Sequence, residues 1–127
     1  MKTRVIAAVD DMIFAAKIRG TAEQVGVCVD FVRSVEALIE AAGRTDASAP
    51  VIIVDLQTQR LDPFAVAERV KADGQLRAAP LVGFFSHVET ELQRRARAAG
   101  FDHVLPRSAF TKRLPEILQG NFVVSSE

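Results

Sequence analysis

Two hydrophobic rhythms alternate along this chain. Short apolar runs occur at VIAAV (5–9), VCVDF (27–31), VIIV (51–54), LVGFF (81–85) and HVL (103–105). Four of the five are almost free of polar residues, the pattern of parallel strands covered on both faces. Between the runs, apolar residues recur every three or four positions, as on one face of a helix. Phe14, Ile18, Ala22 and Val25 make one such stripe. Val35, Leu38, Ile39 and Ala42 make a second, with Ser34 as its N-cap. Asp62-Pro63 reads as an N-cap followed by proline at the first helical position, ahead of the stripe Phe64, Ala67 and Val70. Ser86 and Glu89 have the spacing of a capping box before Leu92, Ala96 and Ala99, and Gly100 closes that helix. A last helix is expected over Thr111–Gln119, with Pro115 near its first turn, where it costs little.

Five repeats of strand then helix, joined by short right-handed connections, predict a doubly wound α/β layer fold. The strand order expected is the flavodoxin-like 2-1-3-4-5. No internal repeat or low-complexity tract is visible. The expected organisation is one domain over residues 1–120 and a tail over 121–127. Gly43–Ala49 and the tail from Gly120 are the expected loose segments, with Phe122, Val123 and Val124 dangling rather than docked.

Composition narrows the possibilities without choosing among them. A chain of 127 residues is long enough for one core. Its 16 basic and 16 acidic residues balance, which argues against a general affinity for nucleic acid or anionic lipid. The single cysteine, Cys28, cannot form an internal disulfide and fits a reducing, cytoplasmic location; its apolar run suggests a small buried hydrophobe. No apolar run approaches the ~20 residues of a membrane span, and the N-terminus lacks a signal-peptide pattern.

The chemistry lies where the runs end. Asp10 and Asp11 close the first, and Asp55 closes the third. In an open parallel sheet, ligands bind beyond the carboxyl ends of the strands, where the strand order reverses. With strands 1 and 3 adjacent, these three carboxylates converge and repel one another. A hard, oxygen-preferring divalent cation relieves that repulsion, and Mg²⁺ suits a site with few carboxylates and several waters. For any one acid alone, a helix cap or a dipole contact is the simpler account.

The acidic pair in AAVDDM, Asp55 in VIIVDLQ, the LDPF turn and ARAAGFDHVL together resemble a response-regulator receiver domain of the CheY-like family, over about residues 3–119. The spacings fit without gaps: 44 residues from Asp11 to Asp55, 30 to Phe85 and 22 more to Arg107. The resemblance implies that Asp55 accepts a phosphoryl group from a phosphohistidine on a kinase or phosphotransfer protein. It implies Mg²⁺ held by Asp11, Asp55 and the backbone carbonyl of Gln57, with Asp10 assisting through water. It also implies signalling through protein partners or a homodimer, without direct nucleic-acid contact.

Two positions depart from the family pattern. Phe85 stands where Thr or Ser is usual, and Ser86, next to it, is the available substitute if the strand ends differently. Arg107 replaces the usual Lys, keeping charge but exchanging a point charge for a planar fork that can clamp Asp55 or bind a phosphoryl oxygen. Pro106 precedes Arg107 instead of following it, and Val104 holds the aromatic switch position. The rival reading is a pseudo-receiver, a protein-binding module indifferent to phosphate. An aspartyl-phosphate phosphohydrolase is disfavoured by Gln57, where that chemistry needs a second acid. A flavin carrier is disfavoured by acids where a phosphate cradle would be.

Overall fold

A computed structural model of the protein describes residues 4–43 and 50–122. Its sheet comprises β1 (Arg4–Ala8), β2 (Cys28–Phe31), β3 (Val51–Asp55), β4 (Leu81–Phe85) and β5 (His103–Pro106). All four pairings are parallel and the order is 2-1-3-4-5, as the pattern predicts. The helices are α1 (Met12–Val25), α2 (Val35–Gly43), α3 (Pro63–Ala72), α4 (Thr90–Ala99), α5 (Arg107–Lys112) and α6 (Leu114–Leu118).

Alternation along the strands builds two apolar layers. Ile6, Ile52, Val54, Leu81 and Phe85 join α2, α3 and α4 in one. Val5, Ala7, Ile53, Val82 and Phe84 join α1, α5 and α6 in the other. The Phe84-Phe85 pair therefore fills both sides at the end of β4. Phe84 stacks on Phe110 at 4.8 Å and meets Phe14 at 5.1 Å.

Local signals behave as their chemistry requires. Ser34 Oγ accepts the Ala37 N–H at 3.0 Å, and Asp62 accepts the Phe64 N–H at 2.9 Å with Pro63 behind it. Gly83 lies against Leu56, where a Cβ would fall 2.8 Å from Cδ2. Gly100 takes a φ of 121° at the end of α4, a region that favours glycine.

Five expectations are corrected. Cys28 is exposed, because β2 is the edge strand and its residues alternate outward. Ser86 and Glu89 form no capping box: α4 starts at Thr90, and Glu89 caps it without a side-chain bond. The last helix divides at Arg113 into α5 and α6, and Pro115, which has no N–H to donate, lies in the first turn of α6. Phe122 docks, stacking on His103 at 4.7 Å. Gly43, expected to open a loose segment, is instead the last residue of α2. Residues 44–49 and 123–127, expected to be loose, lie outside the described residues.

Candidate functional site

Register alone brings the acids to one edge. Ala8 pairs with Val54, so Asp10 and Asp11 leave β1 beside the point where Asp55 ends β3. Their fields meet: burial pushes the Asp55 carboxyl above its usual range, and the charges of Asp10 and Asp11 push the same way. The Gln57 N–H, donating to Asp55 Oδ1 at 2.9 Å, and the Arg107 charge oppose this without reversing it. Asp55 Oδ2 accepts no hydrogen bond from the described residues.

Each of the other acids is already engaged. Asp11 caps α1, its Oδ1 accepting the N–H groups of Ile13 at 2.9 Å and Phe14 at 3.0 Å. Arg107 Nη2 donates to its Oδ2 at 3.0 Å. The Phe14 N–H first, and Arg107 with it, hold the Asp11 carboxyl below the usual range. Asp10 Oδ2 accepts the Thr58 hydroxyl and the Gln59 N–H, and the Arg60 guanidinium lies 3.8 Å from Oδ1.

Arg107 reaches Asp11 rather than clamping Asp55. Its guanidinium lies 4.1 Å over the Phe14 ring, which fixes the plane of the fork. Nη1 then donates to Ser86 Oγ at 3.3 Å. Phe85 is 4 % exposed and turned into the core beside Val104, as alternation from Phe84 requires. The positions at which the family pattern places a hydroxyl and an aromatic ring are thus both packed and apolar. Ser86 lies past the strand end, relieved of any capping duty, with its hydroxyl on Arg107.

The sequence did not disclose the Gln57 side chain. Gln57 Oε1 accepts the N–H groups of Ser86 at 2.8 Å and His87 at 3.1 Å. Its Nε2 donates to the His87 carbonyl at 2.8 Å and to Glu89 at 3.0 Å. Thr58 and Arg60 were equally silent; polar residues just past Asp55 were the only available hint.

The donor set fits a hard cation in chemistry, since Asp10, Asp11, Asp55 and the Gln57 carbonyl offer only oxygens. Among the described residues, no three acidic, His or Cys side chains are grouped to hold a metal ion as they stand. Arg107 on Asp11, and Thr58 with Arg60 on Asp10, occupy the oxygens such an ion would use. No helix among the described residues is long and apolar enough to cross a membrane.

No protein-family model matches the sequence, and no curated protein does. Solved structures do match. A response regulator from Hahella chejuensis aligns with a TM-score of 0.79 at 23% identity, over 97% of both chains. The chemotaxis response regulator CheY4 of Vibrio cholerae aligns at 0.77 with 19% identity, over 95% of this chain and 99% of its own. The receiver domain of a Pseudomonas aeruginosa sensor histidine kinase, solved with magnesium in its active-site cleft, aligns at 0.75 with 16% identity, over 94% and 99%. Nearly full coverage of both partners, with the same strand order, leads to one conclusion: this chain has the fold of a response-regulator receiver domain.

Proposed function

We propose that the chain is a receiver module that accepts a phosphoryl group on Asp55 from a histidine kinase or phosphotransfer protein, with Mg²⁺, and signals through noncovalent partners. The observation that carries this reading is Asp55 itself. It is a half-buried carboxylate at the end of β3, raised in pKa by burial and by Asp10 and Asp11. An anion so placed gains by sharing its charge with a phosphoryl group. Gln57 holds Oδ1, which leaves Oδ2 to attack phosphorus. The O–P bond forms as the P–N bond of phosphohistidine breaks, and that electron pair returns to the imidazole nitrogen. The product is an aspartyl phosphate.

Asp11, Asp55 and the Gln57 carbonyl would hold the ion, with Asp10 assisting. When bound, Mg²⁺ supplies positive charge to the phosphoryl oxygens. Arg107, which now bonds Asp11, would give up that oxygen to the ion, and its fork over Phe14 would be available to a phosphoryl oxygen.

Phe85 and Val104 favour a second reading, a pseudo-receiver whose contacts ignore phosphate. Incubation with acetyl phosphate or phosphoramidate and Mg²⁺, followed by intact mass, separates the two. One phosphoryl adduct, lost in Asp55→Asn, supports the acceptor. No adduct under any of these conditions supports the pseudo-receiver.

A further inference from the structure

We infer that Gln57 is a positioning residue: its side-chain amide fixes the β4–α4 loop so that the Ser86 hydroxyl serves the phosphoryl site in place of the residue at Phe85. The inference rests on the receiver reading above and names the part of that site which the packed end of β4 leaves open.

The Gln57 amide uses its full hydrogen-bonding capacity on one loop, two donors and two lone pairs. The carbonyl meets two N–H groups, of Ser86 and His87. The amino group meets two acceptors, the His87 carbonyl and a Glu89 carboxylate. Turning the amide over would break all four bonds, so its orientation is dictated by its partners. Through its main chain the same residue donates to Asp55. One side chain and one peptide N–H therefore tie the acceptor to the loop opposite.

Ser86 is where this tie acts. Its N–H is held by Gln57 and its hydroxyl accepts from Arg107. Arg107 in turn bonds Asp11 and lowers the Asp55 pKa by its charge. The hydroxyl thus belongs to a hydrogen-bonded chain that runs from Asp55 through Gln57, Ser86 and Arg107 to Asp11. Glu89 contributes its carboxylate to Gln57 while α4 goes without a side-chain cap. The loop conformation is set by Gln57, not by the helix it precedes.

Adduct formation on the full chain, driven by acetyl phosphate with saturating Mg²⁺ and timed by intact mass, tests this. Ser86→Ala should slow the reaction about tenfold, the worth of one hydrogen bond to a charged group. Gln57→Ala should slow it by a similar factor, and the double variant should be no slower than either, since the two act as one unit. Gln57→Glu with Glu89→Gln keeps both N–H acceptors and restores the bond to residue 89, but sets a carboxylate oxygen against the His87 carbonyl, and should recover only part of the rate. In the unphosphorylated protein, hydrogen exchange at the Ser86 and His87 amides should accelerate in Gln57→Ala and not in Ser86→Ala, with sheet amides unchanged in both. Should Gln57→Ala fail to fold, the reciprocal pair carries the comparison. No adduct on the wild-type chain overturns the receiver reading and this inference with it. An adduct formed equally fast by wild type and both single variants overturns this inference alone, as would rates that multiply in the double variant.

Discussion

Replacing Gly83 with alanine tests the packing where β4 meets the end of β3. Gly83 pairs with Val54 in β4, and an added Cβ would lie 2.8 Å from Leu56 Cδ2, 2.9 Å from Cγ and 3.0 Å from Cδ1. Turning the leucine about χ2 cannot relieve all three contacts, because Cγ is among them and stays in place. Retreat is blocked as well: Leu56 is buried, and its N–H donates to the Phe84 carbonyl at 2.9 Å. Forcing a methyl group into a filled core costs about 1–3 kcal/mol. Gly83 does not have a positive φ, so alanine suits the backbone and returns about 0.4–1 kcal/mol through the unfolded chain. The net expectation is a loss of roughly 1–2 kcal/mol by urea titration, and a Tm lower by about 3–8 °C by circular dichroism for a domain of this size. Adding Leu56→Ala should cost less in the Gly83→Ala background than in wild type, a coupling of about 1 kcal/mol. An unchanged or raised Tm for Gly83→Ala would refute the claim that this glycine exists for close approach.

Phe85→Ala should lose about 3–5 kcal/mol by denaturant titration, because it empties a buried ring's place beside Val104. Arg107→Ala releases Asp11 and should tighten Mg²⁺ binding by up to about fivefold in calorimetric titration, the upper worth of a half-exposed ion pair. Asp11 is depressed in pKa, so its stabilising contribution is full above the unfolded carboxylate range and is lost as pH falls through the folded value. Without Arg107 that contribution should be smaller and its loss complete at a higher pH in acid unfolding. Phe122→Ala removes the cover from His103, whose pKa is lowered first by burial. NMR titration should then find it closer to the ordinary histidine value, and stability should fall less steeply as pH drops through the histidine range.

What the sequence determined by itself was periodic or adjacent. Burial repeats every two residues in a strand and every three or four in a helix, so five strands and their helical stripes were legible from apolar spacing. Ser34 and Asp62-Pro63 act within three residues of themselves, and acids at the ends of buried runs mark the carboxyl edge of the sheet. Only tertiary structure decided how those elements spend their polar groups. Cys28 is exposed because its strand lies at the sheet's edge, which its own run does not record. Ser86 and Glu89 had the spacing of a cap, yet Gln57, 32 residues before Glu89, claims that carboxylate. Arg107 meets an aspartate 96 residues away because the Phe14 ring orients it there. Such bonds depend on where loops bring chain ends together, and a local pattern carries no information about that distance.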